Sequence, residues 1–219
     1  MADYEWGERW DMWCALPPDP RTVLDVGCGS GMGLASLSKR GITVIGVDVD
    51  PKAIVKARTR LREARLLDVE REPWPVDWLG FFDVIAFCDS LEHFADPWKV
   101  LRSTRSLLRA GGRVVASVPN LRQWRMLTKL ALGRWHYHDG PGIMNRSHLH
   151  FFTRQTMRDL FTESGFGQPT FYFPRRTFHL RQPERALNAM TFGAVPDFFY
   201  NSFTVSAEPD SQQMGAAAL

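Results

Sequence analysis

Short apolar runs rich in β-branched residues alternate with stretches of helical periodicity through the first 120 residues. The run Thr22–Cys28 predicts a strand buried on both faces. Leu34 and Leu37, set among small residues, predict a helix from about Gly31 to Arg40. Thr43–Asp48 predicts a second strand. Asp50-Pro51 reads as a helix start, with an acid cap and a proline where the amide would be unpaired anyway. Ile54, Ala57 and Leu61 continue that helix on one face. Arg65–Asp68 predicts a short third strand and Phe82–Cys88 a fourth. Asp96-Pro97 repeats the start signal, and Gly111-Gly112 is expected to close the helix it opens. Arg113–Val118 predicts a fifth strand.

The second half is less regular. Leu121–Leu132 is apolar and basic at helical spacing, and Gly133–His150 reads as loop. Thr153 can cap a helix carrying Met157, Leu160 and Phe161 and ending at Gly165. Thr170–Phe173 and Ser202–Ser206 predict two late strands, paired antiparallel at the sheet edge. Strands alternating with helices give a sheet covered on both faces, and right-handed crossovers make it doubly wound. The expected fold is therefore α/β: a Rossmann-like, mostly parallel seven-stranded sheet with an antiparallel edge hairpin. Residues 1–207 are expected to form one domain with an insertion at 121–150, and residues 208–219 a disordered tail.

Composition adds limits. Hydrophobic residues at 44% and charged residues at 23% suit a globular chain. No run approaches the roughly 20 apolar residues of a spanning helix. Met1–Trp6 has neither a basic nor an apolar signal region, so no signal peptide is expected. Cys14, Cys28 and Cys88 are odd in number and widely spaced, which suits neither a metal pair nor a disulfide framework and fits a reducing cytoplasm. Residues 121–185 hold 11 Lys and Arg against 4 Asp and Glu, whereas residues 1–120 hold 16 against 17. A basic second half suits an anionic small molecule or an anionic surface. The arginines form no dense run and no groove-binding motif, so nucleic acid is not the expected partner.

Candidate chemistry collects at the strand ends, where ligands bind in such sheets. Gly27, Gly29 and Gly31 allow a turn closed to other residues, with room for a ligand against the backbone. A dinucleotide turn needs a third glycine three residues after Gly29, where Met32 stands. Asp25 suits an ammonium or sulfonium group better than a pyrophosphate. Asp48 can accept from both ribose hydroxyls, and Asp68 from an adenine amino group. Together they describe a pocket for an adenosine carrying an amino-acid arm.

The segment Val23-Leu24-Asp25-Val26-Gly27-Cys28-Gly29-Ser30-Gly31, then Gly46-Val47-Asp48, Asp83-Val84-Ile85 and Leu91-Glu92-His93-Phe94 with Asp96-Pro97, resembles the class I S-adenosylmethionine-dependent methyltransferases over residues 20–175. Asn145–Thr153 and Glu163–Phe166 look like a bacterial small-molecule subgroup, similar to the ubiquinone-pathway O-methyltransferases. The resemblance implies that Asp25, Gly27, Cys28 and Gly29 contact the methionine part of S-adenosylmethionine. Asp48 with Val49 would hold the ribose and Asp68 with Val69 the adenine, while Cys88 and Asp89 border the methyl group. His148 matches a loop histidine of the subgroup and is the candidate base, with His150 and Asp89 as further catalytic candidates. His136, Tyr137 and His138 are alternates lining the acceptor side, which the 121–150 insertion would shape. Asp89-x-x-Glu92-His93 resembles a divalent-cation motif of the ubiquinone-pathway enzymes. Magnesium is the option this opens; the reading adopted is a loop-ordering network and no metal. Trp6, Trp10 and Trp13 recur at helical spacing and are expected to dock a terminal helix. The expected activity is O-methylation of a small acceptor, such as a sugar or secondary metabolite, that can carry negative charge. The alternative is a non-catalytic binding protein of the same fold.

Overall fold

In the computed structural model, which describes residues 9–172 and 198–211, each predicted apolar run becomes a strand of one sheet. The strands are β1 (Thr22–Val26), β2 (Thr43–Asp48), β3 (Glu63–Leu66), β4 (Phe82–Cys88), β5 (Leu108–Pro119), β6 (Thr170–Tyr172) and β7 (Ser202–Ala207). Their order is β3-β2-β1-β4-β5-β7-β6. The first five run parallel, while β7 pairs antiparallel with both β5 and β6. This is the doubly wound, Rossmann-like sheet with an antiparallel edge that the alternation implies.

Alternate residues of the central strands enter two cores, one on each sheet face. Leu24, Val26, Ile85 and Phe87 join Phe82, Phe161 and Phe166 on one side. Val23, Val84 and Ala86 join Leu34, Leu37, Ile54 and Ala57 on the other. The second core also takes Met12 from α1 (Trp10–Trp13), which docks with Arg40 stacked 4.1 Å over Trp13. Trp6 and the Trp10 side chain lie outside what is described. The helices on the two faces include α2 (Ala35–Lys39), α3 (Pro51–Ala57), α4 (Pro97–Ser103) and α6 (Arg154–Glu163), while α5 (Trp124–Ala131) follows β5. Asp50 and Asp96 cap α3 and α4 through their side chains, accepting from the amides of Lys52 and Lys99. Thr153 and Thr156 form a reciprocal capping box on α6. Among the described residues, no helix is long and apolar enough to cross a membrane.

Three expectations are corrected. Gly111-Gly112 does not end a helix: α4 gives way to a 3-10 turn through Leu107, and both glycines lie inside β5. The β4–β5 register shifts between Phe82 and Val84, and a Cβ on Gly112 would lie 2.9 Å from the Phe82 carbonyl oxygen. The pair therefore serves a close strand approach at an irregularity. The third strand starts at Glu63 and ends at Leu66, which leaves Asp68 beyond its end. Residues 208–211, assigned to a tail, are docked: the amides of Gly167 and Asp210 donate to the carbonyls of Glu208 and Gly165. Phe173 and residues 212–219 lie outside the described residues.

One buried acid stitches the sheet together. Asp83 at the start of β4 accepts from the Arg21 and Thr22 amides and from the Thr22 hydroxyl, and it pairs with Arg109. Burial alone would raise its pKa; these donors outweigh burial and hold it below the usual carboxylate range.

Candidate functional site

β1 lies between β2 and β4, so the carboxyl ends of these strands stand side by side. After β1 the chain turns through Gly27, Gly29 and Gly31, with φ of 74°, 53° and 76°. The amides of Gly27 and Cys28 both donate to the Val47 carbonyl, at 2.9 and 3.0 Å, which folds the turn over β2. A Cβ on Gly29 would meet nothing within 4 Å, so the turn leaves open space beside its backbone. At Gly27 a Cβ would fall 2.6 Å from the Ser90 Cβ, so that glycine is needed for packing.

Two predicted acids, Asp25 and Asp48, border this turn, and a third, Asp68, follows the end of β3. The Asp48 carboxylate accepts from the Gly29 amide at 2.8 Å and from the Asp50 amide at 2.9 Å, which fixes its orientation; Val49 beside it is exposed. Asp25 is 1% exposed, and its Oδ1 has no hydrogen-bond partner. Burial, followed by the nearby Asp48 carboxylate, pushes Asp25 up to about 7. Cys88 hydrogen-bonds to Asp25, and burial together with that carboxylate pushes its thiol well above the usual range. Asp68 accepts from the Glu70 amide and faces Arg71 at 3.5 Å, with Val69 packed partly buried against the core. An orphaned buried carboxylate oxygen, an open glycine turn and an amide-fixed acid fit a ligand with a cationic arm and a diol.

Asp89 follows β4 with φ of +50°, the one left-handed non-glycine among the described residues. Its carboxylate meets the Arg9 guanidinium at 2.5 Å and accepts from the Ser117 hydroxyl at 2.9 Å. Arg9 also binds Asp11 through two nitrogens, and its amide donates to the Gly33 carbonyl. The site thus contains a largely buried arginine that the sequence reading passed over. Its partner lies 80 residues away, and no local pattern marks it.

A second cluster forms around the turn that follows β4. The turn Leu91–His93 buries Glu92 to 1% exposure, with both carboxylate oxygens unpartnered. Burial and the Asp89 charge push Glu92 well above the usual range, which favours its neutral form. The Glu92 carbonyl accepts from the Leu149 and His150 amides at 2.8 and 3.2 Å, which pins the loop that carries His148. His148 Nε2 stands 3.9 Å from Glu92 Oε1, and the His93 and His148 rings are 4.8 Å apart, edge to face. His148 Nδ1 is 2.9 Å from the Ile143 carbonyl, and His93 Nδ1 is 3.1 Å from the Ser147 carbonyl. A carbonyl only accepts, so each Nδ1 carries the proton and each neutral ring keeps its Nε2 lone pair. Burial lowers both histidines below the ordinary range and keeps them neutral near pH 7.

Asp89 is not part of this cluster, contrary to the grouping of Asp89 with Glu92 and His93; its side chain is committed to Arg9. Among the described residues, Glu92, His93 and His148 are the group able to hold a metal ion, with ligand atoms within 4.8 Å of one another. Two imidazoles and one carboxylate do not fit magnesium, which takes oxygen donors. His150 points elsewhere: its Nε2 lies 3.2 Å from the Ala95 carbonyl and its ring packs edge-on to Trp98. His136, Tyr137 and His138 are exposed on the preceding loop.

Comparison with known proteins agrees with this geometry. Residues 5–167 match the family described as "Methyltransferase domain". The chain is 30% identical over 105 residues to the ubiquinone biosynthesis O-methyltransferase of Acinetobacter baylyi, covering 46% of this chain and 44% of that protein. It is 35% identical over 104 residues to the enzyme of that name from Nitrosomonas europaea, again covering 46% and 44%. The chain thus spans less than half the length of these curated relatives. A putative S-adenosylmethionine-dependent methyltransferase from Listeria monocytogenes shares the fold, with a TM-score of 0.63 at 16% identity over 93% of this chain and 97% of that one.

Proposed function

This chain belongs to the methyltransferase-domain family, and from that premise we propose that it is a class I S-adenosylmethionine-dependent methyltransferase that methylates a hydroxyl oxygen of a small acceptor, such as a sugar or secondary metabolite. The carrying observation is the buried His148, whose Nδ1 donates to the Ile143 carbonyl so that Nε2 keeps its lone pair, 3.9 Å from Glu92 Oε1 on the turn that follows β4. The O-methyltransferase names of the ubiquinone-biosynthesis relatives support oxygen as the acceptor atom.

When bound, S-adenosylmethionine supplies a methyl group on a cationic sulfur that is already a good leaving group. The protein's work is to bind, align and exclude water. Asp48 would hold the ribose hydroxyls beside Val49, and Asp68 with Val69 the adenine edge. The orphaned Asp25 oxygen would face the cationic arm, with the backbone of Gly27, Cys28 and Gly29 and the Cys88 side chain lining it. Arg9 sets a positive charge against Asp89 in the same region. His148 Nε2 would accept the acceptor hydroxyl proton as the oxygen attacks. The Glu92 carbonyl, by accepting from the Leu149 and His150 amides, would keep that imidazole in place.

Two measurements test the reading together. Calorimetry should show S-adenosylmethionine binding to both the wild type and His148→Ala with affinities within about twofold. Methyl transfer to an acceptor found by screening pools with labelled cofactor should fall by about 10² or more in His148→Ala, the usual contribution of a general base. A variant with unimpaired turnover refutes the base assignment, and failure to bind the cofactor refutes the pocket.

A further inference from the structure

Arg9 opens a segment with few ordinary anchors. The helix α1 that follows it is too short to hold itself, and its buried apolar contacts are those of Met12 and, just beyond, Ala15. Polar bonds supply the rest. The Arg9 side chain is 12% exposed. Its Nη1 meets Asp89 Oδ2 after β4, its Nη2 donates to the Ser117 hydroxyl on β5 at 2.8 Å, and its Nε and Nη2 reach the two oxygens of Asp11. Ser117 donates in turn to Asp89 Oδ1 at 2.9 Å, which closes a ring of three side chains. Asp11 also accepts from the Thr204 hydroxyl on β7 at 3.2 Å. The Arg9 Cγ lies 3.5 Å from the point that a Cβ on Gly33 would occupy, and the Cys88 Cβ lies 3.8 Å from that point. The stem of Arg9 therefore meets Cys88 and the chain leaving the glycine turn at one place.

A buried guanidinium is costly unless its charge and donors are met, and apolar side chains of like volume hold a segment at least as firmly. What a forked cation adds is one fixed arrangement of the groups it joins. We propose that Arg9 is a positioning residue of the cofactor pocket: acting through Asp89, it fixes the N-terminal segment across the carboxyl ends of β4 and β5 as the wall beside Cys88. This rests on the reading of the strand-end pocket as the cofactor site. The network is joined to that pocket through Cys88, which precedes Asp89 and hydrogen-bonds to the orphaned Asp25. Asp25 is faced by Asp48 from β2, Cys28 from the glycine turn, Cys88 from β4 and Arg9 from the N-terminal segment. Arg9 thus opposes the Asp48 charge in keeping Asp25 ionised.

Hydrogen–deuterium exchange and calorimetry with S-adenosylmethionine test this on the whole protein, using Arg9→Gln, Arg9→Lys and Asp89→Asn. Asparagine tolerates the left-handed φ of position 89. In the cofactor-free protein, the amides of Met12, Ala15 and Leu16 should exchange about tenfold faster or more in Arg9→Gln, with circular dichroism unchanged. Cofactor affinity at pH 7 should fall about tenfold in Arg9→Gln and in Asp89→Asn, and the double variant should fall no further, because both break one pair. Arg9→Gln should also move upward the pH above which affinity levels off. Arg9→Lys keeps the charge and loses the fork, so it should leave that pH in place and restore part of the affinity. Additive losses in the double variant, or wild-type exchange in Arg9→Gln, overturn the proposal. Affinity lost while the segment stays ordered also overturns it, since Arg9 would then touch the cofactor itself. A wild type that binds no cofactor sinks the pocket reading and the positioning role with it; the exchange data, which need no cofactor, tell that failure from a failed clamp.

Discussion

Replacing Asp25 by asparagine should make the cofactor-free protein more stable above neutral pH while weakening its grip on the cofactor. Asp25 is 1% exposed at the end of β1, and its pKa is raised from 3.8 to about 7, by burial first and Asp48 second. The unfolded chain loses this proton near 3.8 and the folded chain only near 7. Between those values the folded state holds one more proton, so its stability falls as pH rises. The contribution is fully present below 3.8, is lost progressively, and is gone above about 7. Three units at about 1.4 kcal/mol each amount to about 4 kcal/mol. Asparagine keeps the shape and has no charge to lose. Chemical denaturation without cofactor should therefore find Asp25→Asn and wild type equal near pH 4, with a gap that widens to roughly 4 kcal/mol at pH 7 and stays level above it. Cofactor affinity of the wild type should rise about tenfold per pH unit up to pH 7 and then flatten, because only the ionised carboxylate favours a cationic arm. The variant should bind weakly and with little pH dependence. A stability gap constant across pH, or a wild-type affinity flat between pH 5 and 7, refutes the reasoning.

Two further outcomes follow from the site. Gly27→Ala should destabilise the protein by about 2 kcal/mol or more in denaturant melts, since φ is +74° and the new Cβ would lie 2.6 Å from the Ser90 Cβ; a stable variant would mean that the turn yields. Chelation by EDTA should leave turnover unchanged if His148 Nε2 is the base, and turnover lost on chelation and restored by an added ion would instead make Glu92, His93 and His148 ligands.

The strands and helix starts were legible because their signals are local. Thr43–Asp48 and Phe82–Cys88 stand with the predicted bounds, and Asp50-Pro51 and Asp96-Pro97 cap as read. The glycine turn and its neighbouring acids were legible because strand ends in a parallel sheet converge whatever the rest of the chain does. Gly111-Gly112 was misread because a glycine pair after a helical pattern looks the same whether it ends the helix or lets two strands approach. Arg9 and the Glu92–His148 approach were not readable, since each joins residues more than 50 positions apart. Asp89 shows the cost: its spacing to Glu92 suggested a shared ligand, yet a partner from the N-terminal segment claims its carboxylate.

The Glu92 carbonyl, which receives the Leu149 and His150 amides, also bears on how such a protein diversifies. A peptide oxygen belongs to every residue, so no substitution deletes it. Residues 121–150 can drift in sequence and still return to the turn after β4 at the same point, because this anchor is written in the main chain. A loop moored in this way is a cassette: foreign segments of matching ends can be grafted into it, and the imidazole at its exit keeps its station.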